Sequence, residues 1–229
     1  YPGTRALKDV DFDIRMGAVN VLVGENGAGK STLMKVIAGV ETLTSGQIEI
    51  EGRPVTIRTK DDAVDNGIGI VFQELNLFPD LTVAENVFMG REPTRWGVDI
   101  DRGHLIARTR ELMKRLEQDI APDTMLGNLR VGQQQVVEIA KALAQNAKIL
   151  ILDEPTSALS AAEVEVLFRI IDELKAQGVG LVYISHRLEE LIRVGDYITV
   201  LRDGAVTGTR SMQGVDIPWI VQAMIGGKS

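Results

Sequence analysis

Eight consecutive residues, Gly24-Glu25-Asn26-Gly27-Ala28-Gly29-Lys30-Ser31, have the types and spacing of a loop that cradles phosphate. The glycines let the backbone wrap until successive N–H groups point inward at anionic oxygens. The helix expected next, Thr32 to Ala38, adds the positive end of its dipole. Lys30 is the only cation of the loop and can reach the β- and γ-phosphates of a nucleotide. At about 4 Å and an effective dielectric of about 20, each such charge pair is worth about 4 kcal/mol before desolvation. Ser31 offers a hydroxyl to Mg2+, and Thr32 extends the candidate binding run into the helix.

A second group of residues fits the first. Ile149-Leu150-Ile151-Leu152-Asp153-Glu154 reads as a buried strand ending in two acids. Asp153 is placed to approach Mg2+ through its water shell, and Glu154 to face an attacking water as general base or positioner. Adjacent acids at a strand end are, on their own, more often solvated surface. Downstream of a phosphate loop they point to hydrolysis.

The elements that must position these groups alternate between strand and helix. Val19–Val23 is an apolar run leading into the loop, and Ile68–Phe72 is a β-branched buried strand. Gln47–Glu51 and Val55–Arg58 flank Gly52 and read as a small hairpin. Thr82 with Glu85 and Ser160 with Glu163 are capping boxes that start helices at Val83 and Ala161. Val164, Leu167, Phe168, Ile171 and Leu174 share one face of the second helix, and Val136, Ile139, Ala140 and Leu143 one face of another. The stretch from about Leu75 to Asn128 is expected to be mostly helical, with an irregular loop at Arg91–Asp99. Ile149–Leu152, Leu181–Ile184, Ile198–Leu201 and Ala205–Thr209 are strand-like. This alternation predicts an α/β fold with a largely parallel sheet covered on both faces.

Composition narrows the class. The 229 residues are 45% hydrophobic and 25% charged, enough for a sizeable core and unlike a disordered chain. With no Cys there is no disulfide, thiolate metal site or cysteine nucleophile, and a cytosolic setting fits best. Apolar runs such as Gly178–Ile184 are far short of the about 20 residues of a membrane-spanning helix. The net charge of −7 argues against nucleic acid as the main partner. Tyr1-Pro2-Gly3, in place of an initiator Met, reads like the inside of a domain, so a piece of a longer protein is expected.

Over nearly its whole length the sequence resembles the nucleotide-binding domains of ATP-binding-cassette transporters. The resemblance rests on Tyr1, the Gly24–Ser31 loop, Gln73 in Val71-Phe72-Gln73-Glu74, and Val131-Gly132-Gln133-Gln134-Gln135. It continues with Asp153-Glu154-Pro155-Thr156, Ser157-Ala158-Leu159, and His186 in Tyr183-Ile184-Ser185-His186-Arg187. It implies a P-loop NTPase with a mixed, mainly parallel sheet, a small antiparallel β part and a helical subdomain at about 75–146, all within one cassette spanning 1–229. It implies that Tyr1 stacks on adenine, that Gln73 touches Mg2+ and the attacking water, and that His186 contacts the γ-phosphate. The cofactors are then ATP and Mg2+, with Ser31, Gln73 and Asp153 on the metal side and Glu154, His186 and Gln73 as the catalytic set.

Within that family, Gly24–Gly39, Gly67–Glu92, Val131–Leu143 and Ile184–Leu191 look most like the N-terminal half of the tandem ATPases of bacterial monosaccharide importers. The implied partners are a second cassette in the same protein, transmembrane permease subunits and, indirectly, a periplasmic sugar-binding protein. The implied place is the cytoplasmic face of the inner membrane, as a peripheral protein. Leu77-Phe78-Pro79-Asp80-Leu81 is then either a groove for a permease helix or core filling of the helical subdomain. Two departures stand out. The family signature usually reads Leu-Ser-Gly-Gly-Gln but here is Leu129-Arg130-Val131-Gly132-Gln133, so the serine that would donate to a facing γ-phosphate is missing. Ser160 stands where many relatives have Asp, and reads first as a helix cap. A soluble cassette ATPase acting on ribosomes or DNA would show a basic linker or a long coiled coil, and neither is present. A regulatory nucleotide-binding module without turnover is disfavoured by Glu154, Gln73 and His186.

Overall fold

The structure, a computed structural model, describes residues 5–95 and 99–226. Tyr1 therefore lies outside the described residues. In chain order the elements are β1 (Val19–Val23), α1 (Lys30–Ile37), β2 (Ile48–Ile50), β3 (Arg53–Val55), α2 (Lys60–Asp65), β4 (Ile68–Val71), α3 (Val83–Phe88), β5 (Thr94–Arg95), β6 (Asp99–Ile100) and α4 (Arg102–Arg115). A 3-10 turn (Leu126–Asn128) precedes α5 (Val131–Ala144), β7 (Ile149–Asp153), α6 (Ala161–Ala176), β8 (Gly180–Ile184), α7 (Leu188–Val194), β9 (Tyr197–Arg202), β10 (Ala205–Ser211) and α8 (Ile217–Ile225). The chain folds as two units. The first holds the described residues up to Ile70, Ala147–Glu154, and those from Glu173 onward; the second holds Val71–Asn146 and Pro155–Asp172.

The main sheet has the order β10-β9-β1-β8-β7-β4. β1 pairs in parallel with β8 and β9, and β7 in parallel with β8, while β10 runs antiparallel to β9. β1 and β8 are buried along their whole length, which is why they read as continuous apolar runs rather than as alternating ones. Leu22, Ile151, Val182, Ile184 and Leu201 of the sheet pack with Leu33, Met34 and Ile37 of α1. The helix that carries the second half of the phosphate loop is thereby fixed to the strand that carries the first.

Two hairpins close on two-residue turns. Glu51-Gly52 joins β2 to β3 with Ile50 opposite Arg53, and Asp203-Gly204 joins β9 to β10 with Arg202 opposite Ala205. All four turn residues have positive φ, as this tight hairpin turn demands. The first turn corrects the expected Val55–Arg58 strand: a two-residue connection requires Arg53 to pair with Ile50, so β3 starts at Arg53 and ends at Val55.

In the second unit, α3, α4 and α5 pack on one another. Both bonds of the Thr82–Glu85 capping box form, as do those between Ser160 and Glu163. The Leu75–Asn128 stretch is less helical than expected. The backbone before Thr82 is tied instead to Asn86, whose side chain accepts from the Phe78 N–H and donates to the carbonyl oxygens of Phe78, Leu81 and Thr82. Within Arg91–Asp99 the chain forms part of the short β5–β6 hairpin rather than only an irregular loop. Phe78 is exposed and so does not fill a core. Among the described residues, no helix is long and apolar enough to cross a membrane.

Candidate active site

The loop Gly24–Gly29 joins the end of β1 to the start of α1. Its glycines answer to particular neighbours. A Cβ on Gly24 would lie 2.2 Å from the Leu201 carbonyl oxygen, and Gly29 caps α1 in the left-handed region at φ +105. Lys30 Nζ donates to the carbonyl oxygens of Gly24 at 2.7 Å and Glu25 at 3.0 Å, which holds the ammonium across the mouth of the loop. Burial lowers the Lys30 ammonium below its ordinary value, and the charges of Asp153 and then Glu154 oppose that shift. The Asp153 carboxyl is raised, first by burial and then by Glu154, with Lys30 and Lys35 pulling it back down. Lys30, Asp153 and Glu154 thus form one electrostatic group in the first unit.

Glu154 sits just past β7 with φ +51, a left-handed conformation that strains a non-glycine residue by about 1–3 kcal/mol. Its N–H donates to the Ile184 carbonyl oxygen at 2.9 Å, so the carboxylate is carried over the end of β8. There His186 Nδ1 stands 2.8 Å from Glu154 Oε2. With Glu154 as a carboxylate, which only accepts, the Nδ1 N–H is the donor of this contact.

A cavity of about 550 Å³ opens beside the loop. Gly27, Lys30, Ser31 and Thr32 line it together with Arg5, Lys8 and Asp203. The last three were not read from the sequence. The Asp203-Gly204 turn also supports the loop from below: the Gly204 N–H donates to the Ala28 carbonyl oxygen at 3.0 Å, and the Gly204 carbonyl oxygen accepts from the Lys8 N–H at 2.6 Å. Asp-Gly between two strand-like runs is a hairpin signal, but nothing local indicates what the turn rests against.

The remaining site residues belong to the second unit. Gln73 is exposed, two residues past β4. Leu129 and Arg130 lead into α5, whose first turn holds Val131, Gly132 and Gln133. A Cβ on Gly132 would come 2.8 Å from the Ala158 carbonyl oxygen, so this close approach needs glycine. Gln133 Oε1 accepts from the Arg130 N–H at 3.2 Å, but arginine has no acceptor with which to return the bond.

A parallel strand, a glycine loop wrapped around a lysine, a helix N-terminus and a second strand ending in paired acids define a P-loop NTPase fold. The comparisons with known proteins narrow this to a family. The profile described as ABC transporter matches residues 7–157. A ribose import ATP-binding protein of Rhodopirellula baltica is 52% identical over 226 residues, which are 99% of this chain and 44% of the relative. An arabinose import ATP-binding protein of Yersinia pestis is 49% identical over 99% of this chain and 43% of its own length. The chain thus spans less than half the length of these relatives. Among solved structures, a nucleotide-free ATP-binding cassette from an ABC transporter superposes with a TM-score of 0.81 at 25% identity, covering 99% of this chain and 91% of that one. A dimeric cassette in a post-hydrolysis state with ADP and Pi gives 0.78 at 30% identity, with 92% of each chain covered. The chain belongs to the ABC transporter family.

Proposed function

We propose that this chain is the ATP-binding and ATP-hydrolysing part of a bacterial monosaccharide importer. The observation that carries the reading is the grouping of Lys30, Asp153, Glu154 and His186 at the ends of β1, β7 and β8. The Lys30 ammonium and the N–H groups of the loop hold the β- and γ-phosphates, and the α1 N-terminus adds its dipole. Tyr1 would stack on the base. Glu154 takes a proton from water as the water oxygen attacks the γ-phosphorus; the bond from that phosphorus to the β–γ bridging oxygen breaks, and ADP leaves with its electron pair. His186 holds Oε2 of Glu154, which leaves Oε1 to take the proton.

The donor set fits Mg2+. Ser31 and Asp153 are hard oxygen donors of the kind Mg2+ prefers, and Asp153 and Glu154 are adjacent acids. Among the described residues no cluster of three or more His, Cys, Asp or Glu could form a metal cage, which suits an ion that takes most ligands from phosphate and water. For Gln73 the family resemblance proposes a role toward the ion and the attacking water. When bound, the ion polarises the phosphoryl oxygens and neutralises developing charge.

The roles of these relatives in ribose and arabinose import support a sugar as cargo. The proposed partners are permease subunits, a second cassette in the same polypeptide facing Leu129–Gln133, and, indirectly, a periplasmic sugar-binding protein. The proposed location is the cytoplasmic face of the inner membrane. The test is phosphate release from ATP with Mg2+ by the parent chain and by Glu154→Gln. The reading expects ATP binding in both and turnover only in the parent. Failure of both to bind ATP would overturn it.

A further inference from the structure

Glu190 is a carboxylate only 8% exposed, in the first turn of α7, and it belongs neither to the phosphate loop nor to the acid pair. Its Oε2 accepts from the Tyr183 hydroxyl at 2.9 Å and from Ser185 Oγ at 3.2 Å, and its Oε1 from Arg187 Nη1 at 3.3 Å. Ser185 Oγ accepts in turn from the Arg187 N–H at 3.0 Å. Both chain neighbours of His186, and the last aromatic of β8, are therefore tied to one buried group. Burying a carboxylate is costly unless hydrogen bonds offset the lost water, and here three side-chain donors do so. Tyr183 is fully buried, which makes its end of the clamp rigid. The His186 ring, by contrast, is exposed, and its contact with Glu154 depends on where the 185–187 backbone stands.

We infer that Glu190 is a positioning residue for hydrolysis: through Tyr183, Ser185 and Arg187 it fixes the loop that presents His186 Nδ1 to Glu154. This rests on the hydrolytic reading of Glu154. The clamp itself can be read without turnover.

The experiment uses nitrogen-labelled full chain with His104→Gln, which leaves His186 as the only imidazole. Its ring resonances are recorded in the parent, in Glu190→Ala, in Glu190→Gln, and in Glu154→Ala as the reference for a lost contact. Glu190→Ala should move the Nδ1 signal toward the Glu154→Ala position. Glu190→Gln keeps an acceptor for Tyr183 and Ser185 and should stay near the parent. In the Glu190→Ala protein, kcat should fall about tenfold while KM for ATP stays within about threefold, because the loop and Lys30 carry binding. If Glu190→Ala does not fold, Tyr183→Phe removes one donor and should give a smaller shift in the same direction. A folded Glu190→Ala, or in its place a folded Tyr183→Phe, with His186 resonances at the parent position overturns the inference. So does a loss of kcat that Gln fails to restore and that follows the unfolded fraction. A shifted His186 in a chain that never hydrolyses ATP upholds the clamp and removes the hydrolytic reading instead.

Discussion

His186 Nδ1 lies 2.8 Å from Oε2 of Glu154, although the histidine side chain is 71% exposed and the glutamate side chain 13%. An exposed ring has little packing to orient it, so the carboxylate decides which nitrogen points where. With the Nδ1 proton directed at Glu154, Nε2 is left for the proposed contact with the γ-phosphate, where it would donate only from the protonated ring. The two residues should act as one unit. Glu154→Gln and His186→Ala are each expected to lower turnover about 100-fold or more, with the double variant no worse than Glu154→Gln alone. Single-turnover hydrolysis of the three proteins checks this; additive losses would show that the pair is not coupled.

Lys30 is proposed to carry the affinity for ATP. Two loop carbonyls hold its ammonium in place, so little side-chain freedom remains to be lost when a triphosphate arrives. Lys30→Ala should weaken ATP binding by at least about tenfold, or about 1.4 kcal/mol. Titration of a fluorescent ATP analogue against both proteins measures it, and equal affinities would remove the lysine from the site.

The Asp203-Gly204 turn makes a sharper prediction about support at a distance. Gly204 has φ +79, and a Cβ there would sit 2.5 Å from the Ala6 carbonyl oxygen. Gly214 has nearly the same φ, +75, with nothing within 4 Å. Alanine at either site meets the same backbone penalty of about 1 kcal/mol, but only Gly204→Ala pushes on the segment beside the loop. ATP affinity should drop about three- to tenfold in Gly204→Ala and stay unchanged in Gly214→Ala, while thermal stability falls in both.

These contrasts show what a linear reading can reach. The phosphate loop, the acid pair and the capping boxes are local patterns whose residues are sequence neighbours, and their elements appear within a residue or two of expectation: β1 at Val19–Val23, α3 at Val83. The short helix α2 escaped because its cap, Thr59 with Asp62, uses Asp where the usual box has Glu or Gln. The Glu190 clamp and the Gly204 support escaped for a different reason. Tyr183 and Glu190 are seven residues apart, and Gly204 meets Ala28 only because β9 lies beside β1. The Gly204 contact follows from sheet order, which no local pattern encodes, and the Tyr183 contact from the way the chain turns between β8 and α7.

The capping box of α3 gives a pH-dependent test that involves none of the proposed catalytic groups. Hydrogen bonds from the Thr82 N–H, then from its hydroxyl, hold the Glu85 carboxyl below the usual range. A carboxyl depressed by folding adds stability above its ordinary value of 4.5, and that stability is lost as pH falls through the lower folded value. Glu85→Gln should therefore be less stable than the parent near about pH 7, with a smaller gap at about pH 3. Thr82→Ala should cost about 1 kcal/mol at neutral pH. Urea unfolding at both pH values measures the two effects; a Glu85→Gln gap that does not change with pH would contradict the assignment.

Arg130 is proposed to govern whether two such chains can share ATP. As the residue before α5 it has the extended backbone of a helix cap, yet its side chain cannot accept the N–H that Gln133 offers. Serine there would accept that N–H and, with Gln133 Oε1 already on the Arg130 N–H, complete a reciprocal cap worth about 1 kcal/mol. The same hydroxyl would supply the short donor that the signature lacks, whereas arginine is bulky enough to hold a facing cassette away. Loss of one well-placed transition-state donor costs about 100- to 1,000-fold in rate. The parent chain is therefore expected to bind Mg-ATP, to remain mainly monomeric and to hydrolyse slowly. Arg130→Ser should raise the unfolding midpoint. Combined with Glu154→Gln to stop turnover, it should give a dimer that forms only with ATP. Light scattering with and without nucleotide decides between the outcomes, and a parent chain that already dimerises and turns over briskly would refute this account of Arg130.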